Sequence, residues 1–215
     1  MKLPNFSFEK KLHKKGYRVI AGVDEVGRGC FAGPVVAAAV SFAPNQKCDP
    51  KIKINDSKKL SPKQREKADE WIRKNADAWG IGSASVSQIN KLGIKKASEI
   101  AFRKAIKDCG IEINYLLIDA FYIPHVKGLR RKNQKPIVRG DTKSVSIAAA
   151  SIIAKVYRDK LMTNLGKKLK LRKYKWAKNK GYGTLEHRKA IKKYGLTRHH
   201  RKLFVETWLS RSAEN

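Results

Sequence analysis

One stretch limits what this chain can become: Arg18-Val19-Ile20-Ala21-Gly22-Val23-Asp24-Glu25-Val26-Gly27-Arg28-Gly29. Residues 19–23 are apolar, β-branched and bounded by glycine, which predicts a buried strand rather than a helix. Asp24 and Glu25 follow at its end. Two adjacent carboxylates leaving a buried strand repel each other and lose hydration, so they require a cation or a hydrogen-bond network. A divalent metal meets that need. Acids at strand ends also act as ordinary turn formers, and this stretch alone leaves both roles open. Gly27 and Gly29 flank Arg28 without Cβ atoms, so backbone N–H groups there can approach a ligand. A dinucleotide-binding loop fits poorly, although Gly33 lies at nearly the right spacing. That fingerprint opens a helix, whereas residues 34–42 read as a second strand.

Lysine and arginine number 49 against 18 acids, a formal net charge of +31. Such a surface attracts polyanions and repels itself when none is bound, so nucleic acid is the expected partner. With hydrophobic residues at 41% of 215, the chain has enough apolar surface for one core. An acidic membrane is the competing partner, but no 18-residue apolar span occurs and Met1-Lys2-Leu3-Pro4-Asn5 lacks a signal-peptide core. A cytoplasmic monomer with no membrane association is expected. Cys30, Cys48 and Cys109 are odd in number and widely spaced, which suits neither a disulfide framework nor a zinc site. Reduced packing residues are the reading that remains.

Residues 1–16 read as a frayed arm or a short helix, with no role assigned. Ser61-Pro62 is a helix start, a capping hydroxyl followed by proline at the first helical position, and that helix should end near Trp79-Gly80. Residues 82–89 alternate and read as a third strand; a helix follows over about residues 93–109. Residues 115–118 then run directly into Asp119, a second apolar strand ending in a carboxylate, again with a turn-forming alternative. Residues 127–135 form a basic loop without period, and residues 136–138 a short strand. Asp141 precedes the longest helical pattern, residues 144–165, and by itself reads best as a helix-capping acid. From Lys167 onward basic residues interleave with Tyr174 and Trp176, a pattern of a solvated helix face or of a surface that tracks a nucleic-acid backbone. Helices are expected over residues 185–194 and 201–211.

This order predicts an α/β mixed sheet with its site on one edge. If Asp24, Glu25, Asp119 and Asp141 converge, they form the oxygen-rich, histidine-poor set that Mg²⁺ or Mn²⁺ prefers. Two such ions suit phosphodiester hydrolysis.

In detail the motifs resemble those of bacterial type II ribonuclease H. Its opening Gly-x-Asp-Glu-Ala-Gly-Arg-Gly stands here as Gly22 to Gly29 with Val26 for alanine. Its Asp-Ser-Lys-x-Leu matches Asp56-Ser57-Lys58-Lys59-Leu60, and its third acid matches Asp119. Its Gly-Asp-x-Lys-Ser with an alanine-rich helix matches Gly140-Asp141-Thr142-Lys143-Ser144 and the run from Ala148 to Val156. The resemblance implies an RNase H-like mixed five-stranded sheet flanked by helices, with a small helical C-terminal part. Expected segments are an arm at 1–16, a catalytic core at 17–166 and a basic helical region at 167–215. It further implies hydrolysis of RNA in RNA–DNA hybrids and incision 5′ to single ribonucleotides in duplex DNA. Asp24, Glu25, Asp119 and Asp141 are then the catalytic and metal-binding acids for Mg²⁺ or Mn²⁺. Gly27, Arg28, Gly29, Lys58, Lys143 and Tyr182 are then the substrate-binding residues, the glycine-flanked backbone and Tyr182 reading the ribose 2′-OH. The chain departs from the pattern at Leu203, where His-Arg-x-Ser-Phe usually has serine, and in its unusually basic surface. A related type III enzyme carries an extra N-terminal domain, and Asp24 lies too early for one. The alternative from another class is a non-catalytic basic nucleic-acid-binding protein whose acids are structural.

Overall fold

The computed structural model describes residues 3–213; residues 1, 2, 214 and 215 of the expected arm and C-terminal region lie outside them. The opening apolar run forms β1 (Ile20–Val26) at the centre of a five-stranded sheet. The other strands are β2 (Val35–Ser41), β3 (Ala78–Ala84), β4 (Tyr115–Asp119) and β5 (Gln134–Ile137), in the order β3-β2-β1-β4-β5. β2 pairs antiparallel with β1 and β3, while β1, β4 and β5 run parallel. Helices cover both faces, which is why β2 reads as an unbroken apolar run. Its side chains alternate between two cores. Val35, Ala37 and Ala39 pack with Ala101 and Phe102 of α3 (Val86–Asp108). Val36, Ala38 and Val40 pack with Ile72 of α2 (Pro62–Asn75) and Ile153 of α4 (Val145–Lys167).

Small residues let α4 lie close to the sheet. A Cβ on Gly22 would stand 2.2 Å from the Ser146 carbonyl carbon, so the first turn of α4 rests on β1 just before Asp24. The arm, α1 (Ser7–His13), is tied to the same place. Glu9 is buried, and its Oε1 accepts hydrogen bonds from the Ser144 and Ser146 hydroxyls, both at 2.6 Å.

Several boundaries differ from those expected. α2 stops at Asn75 rather than near Gly80, because β2 captures the chain from Ala78 through the register Ser41↔Ala78 to Val35↔Ala84. Residues 86–89 are helical. Ser85 and Gln88 form a capping box, Ser85 Oγ accepting from the Gln88 N–H at 3.2 Å and Gln88 Oε1 from the Ser85 N–H at 2.9 Å. α3 then bends at Gly93, at φ +78°, where the sequence placed its start. β5 begins at Gln134, inside the stretch that read as loop, because β4 offers it a parallel edge. All three cysteines are free, with Cys30 and Cys109 buried.

The C-terminal helices α5 (Trp176–Asn179), α6 (Leu185–Tyr194) and α7 (Lys202–Ala213) are small and basic. Trp176, Tyr174, Ile191 and Val205 make a separate core with Met162 of α4 and Ala32 from the turn after β1. The turn carrying Gly27, Arg28 and Gly29 thus lies between the sheet and this helical part, with Gly29 exposed. Among the described residues, no helix is long and apolar enough to cross a membrane.

Candidate active site

The parallel pairing of β1 with β4 decides where the acids meet. Val23 pairs with Ile118, so Asp24 and Asp119 are the next residues on neighbouring parallel strands, side by side at the carboxyl end of the sheet. Beyond β5, Arg139 adopts a left-handed conformation and a short 3₁₀ turn, Gly140–Thr142, brings Asp141 back toward them. The Gly140 N–H donates to Asp119 Oδ1 at 2.8 Å and holds that turn against the end of β4. Ser144, not Asp141, caps α4, its hydroxyl accepting from the Ile147 N–H. Asp141 is therefore released from the capping role that the sequence alone favoured.

Asp24, Glu25, Asp119 and Asp141 line one cleft of about 370 Å³, together with Gly27, Arg28, Gly29, Lys58 and Tyr182. Of the substrate-binding residues expected, Lys143 does not line it; its ammonium donates to the Val138 carbonyl at 2.8 Å on the exposed side of the turn. Three polar residues not singled out as site residues, Ser57, Ser151 and Lys155, line the cleft, as does Val26. The Ser151 hydroxyl donates to Ser57 Oγ at 2.8 Å, and Lys155 pairs with Asp159 at 2.8 Å while lying 5.9 Å from the Tyr182 ring centroid. The signal for Ser151 and Lys155 was their four-residue spacing with Asp159, which puts the three on one face of α4.

The electrostatics are those of crowded like charges. Burial raises the Asp24 carboxyl well above its ordinary range, and Glu25, Asp119 and Asp141 raise it further. Burial also raises Glu25, against the opposing pull of Arg28, whose Nη1 lies 3.1 Å from Glu25 Oε1. Asp141 is pushed up to about 6, by burial first and then by Asp56 and Asp119. The Tyr182 hydroxyl is raised by burial and by the Cys30 thiol, so it stays a neutral donor.

Among the described residues, no three acidic, imidazole or thiol groups close on a common point, so the acids form an open set in one cleft rather than a closed cage. The donor set nevertheless fits a hard divalent cation: four carboxylates, no imidazole or thiolate lining the cleft, and mutual repulsion that such a charge relieves.

Gly27 and Gly29 differ in why they are glycines. Gly27 has φ +86°, and a Cβ there would fall 2.2 Å from Arg158 Nε. Arg158 is fully buried and donates to the carbonyls of Pro34 at 2.9 Å, Lys180 at 2.9 Å and Ala32 at 3.1 Å, so it braces the turn after β1 against the Tyr182 loop. At Gly29 a Cβ would meet nothing within 4 Å. Its bareness has no internal packing reason and leaves the backbone open toward the cleft.

The family profile for ribonuclease HII matches residues 21–208. Ribonuclease HII of Wolbachia pipientis subsp. Culex pipiens (strain wPip) is 49% identical over 206 residues, covering 95% of this chain and 98% of that one. Ribonuclease HII of Bacillus subtilis (strain 168) is 46% identical over 199 residues, covering 93% of this chain and 74% of that one. In three dimensions the fold is similar to that of Bst-RNase HIII in complex with Mn²⁺, at a TM-score of 0.67 and 20% identity, covering 94% of this chain and 73% of that chain.

Proposed function

This chain belongs to the ribonuclease HII family and is an endonucleolytic ribonuclease H; from that premise we propose that it cuts RNA in RNA–DNA hybrids and incises duplex DNA on the 5′ side of a single embedded ribonucleotide. The observation that carries this reading is the shared cleft, in which four acids stand beside Gly27, Arg28, Gly29 and Tyr182. A cluster of carboxylates alone would repel a phosphate backbone. Asp24, Glu25, Asp119 and Asp141 would therefore hold Mg²⁺ or Mn²⁺. When bound, the cations supply activation of a water and stabilisation of the leaving oxygen in an in-line displacement. The ends left are a 3′-hydroxyl and a 5′-phosphate.

The chain's own groups orient the substrate. Lys58 and Lys155 place positive charge on the cleft wall against the phosphates. Arg28 is held by Glu25 and by the face of Phe121, 5.1 Å away, which fixes the course of the backbone through Gly29. That backbone and the Tyr182 hydroxyl read the ribose 2′-OH, the one group that separates RNA from DNA at a single position.

Purified protein with a labelled duplex containing one ribonucleotide tests the reading, in Mg²⁺, in Mn²⁺ and in chelator, beside an all-DNA control. Metal-dependent incision 5′ to the ribonucleotide and an intact control are expected; binding without incision would sink the proposal. Gly29→Ala sharpens the test. Since the added methyl meets no protein atom, the variant should unfold at the parental temperature yet lose about tenfold or more in kcat/KM from a displaced substrate. Parental kinetics would remove the backbone from ribose reading.

The raised carboxyls also link folding to pH. The native state holds these protons more tightly than the unfolded chain, so they stabilise the ion-free fold at low pH. For Asp141 that stabilisation is lost as pH rises from the ordinary carboxylate range through about 6, and for Asp24 and Glu25 it is lost in the same direction as pH rises through their raised values. Cation binding requires the same groups deprotonated. Added Mn²⁺ should thus raise Tm clearly at about pH 7.5 and little at about pH 5. Equal shifts at both would mean that the ion binds elsewhere.

A further inference from the structure

His200 and Arg201 belong to the segment that departs from the family pattern at Leu203, and neither lines the cleft. Both side chains are buried behind it, between the two loops that form its ribose-reading side. Arg201 Nη1 donates to the Arg28 carbonyl at 2.7 Å, and its Nε and Nη2 donate to the Gly33 carbonyl at 3.0 and 2.9 Å. Its guanidinium thus grips both ends of the turn that carries Gly29.

His200 reaches the other loop through His187. The Thr197 N–H donates to His200 Nδ1 at 2.9 Å, which leaves the His200 proton on Nε2. His187 Nδ1 lies 2.8 Å from the Tyr182 carbonyl, an acceptor only, so His187 carries its proton on Nδ1 and accepts at Nε2. Two donors meet that nitrogen, Trp176 Nε1 at 2.9 Å and His200 Nε2 at 3.2 Å. Donor and acceptor roles are consistent from Thr197 to Tyr182 only with both imidazoles neutral and in opposite tautomers. Burial favours this state, since it lowers both groups and takes His200 to about 4.

We propose that His200-Arg201 is a positioning dipeptide that sets the distance between Tyr182 and the Arg28-Gly29 backbone, Arg201 by holding the turn directly and His200 by holding the Tyr182 carbonyl through His187. The inference rests on the ribose reading proposed for Tyr182 and Gly29. Those two elements come from distant parts of the chain, and a displacement of about 1 Å between groups that must grip one ribose costs up to about 100-fold in rate. Backbone bonds from Phe31 N–H and Ala32 N–H to the Gly181 carbonyl join the loops, and Arg158 joins them again through the Ala32 and Lys180 carbonyls; the buried dipeptide adds a hold on the Arg28–Gly33 turn and a hold on the Tyr182 carbonyl.

The test compares two substitutions that are alike in size and opposite in hydrogen bonding. His200→Asn keeps an acceptor for Thr197 but deletes the donor to His187, whereas His200→Gln keeps a donor near Nε2. With thermal unfolding as a check, parent, both variants and Tyr182→Ala are assayed on the single-ribonucleotide duplex. Expected are a loss of about tenfold in kcat/KM for His200→Asn at retained folding, recovery of most of it in His200→Gln, and a severe loss for Tyr182→Ala. Parental kinetics in His200→Asn, or equal losses in Asn and Gln, would overturn the positioning role. Parental kinetics in Tyr182→Ala would instead overturn the ribose reading, and this inference with it. Should either His200 variant not fold, imidazole ¹⁵N NMR of the parent decides. A proton on His187 Nδ1 and on His200 Nε2 supports the relay, and any other pair refutes it.

Discussion

Asp24→Asn is expected to lower incision on the order of 10³-fold while making the ion-free protein more stable. Both effects have one cause. Asp24 is buried beside three other acids, so ionising it costs desolvation and repulsion. Asparagine has the same shape and can still accept the 2.7 Å hydrogen bond that the Glu25 N–H gives to Oδ1. It removes the charge that the native state tolerates only for function. In chelator the variant's Tm should therefore exceed the parent's, and the stabilising effect of Mn²⁺ should shrink. Single-turnover incision and thermal scans on the same preparations check both parts. A variant that cuts at the parental rate would remove Asp24 from the catalytic set, and one that is less stable in chelator would refute the electrostatic argument.

Arg158→Met should produce the largest loss of stability, about 3 kcal/mol or more, which is roughly 6–12 °C in Tm for a chain of this size. Methionine fills much of the same volume, so the cost comes from polar groups. Three carbonyls, those of Ala32, Pro34 and Lys180, lose their donor together in a site without solvent access for the side chain. Activity should fall further than the folded fraction explains, because Arg158 packs on Gly27 and braces the turn after β1. Denaturant unfolding and incision measured below the midpoint separate the two losses. A change under about 1 kcal/mol would mean that other donors take over the carbonyls.

The elements that were legible in the sequence were those built by local rules. β1, β2, β4 and α4 appear where apolar runs and alanine-rich periodicity put them, and the Ser61-Pro62 start of α2 is a local capping signal. β3 was misplaced because its start is decided by pairing with β2. The Ser85–Gln88 capping box was hidden in an alternation that mimics a strand. The arm gave no sign of its role, since Glu9 acts on Ser144 and Ser146, far away in the chain.

Residue order alone put acids at the ends of two apolar strands and before one long helix, because strand and helix periods are local properties of the side chains. Its motifs sufficed to place the chain among type II ribonucleases H. Folding was needed to make β1 and β4 parallel neighbours in a register that sets Asp24 beside Asp119. It also turned Lys143 away from the cleft and brought in Ser57, Ser151 and Lys155. What the buried arginines and histidines behind Tyr182 hold was equally out of reach, although His200 and Arg201 stand in a pattern the sequence shows. Their meaning comes from burial and from backbone carbonyls supplied by other segments, and neither is written in the residues beside them.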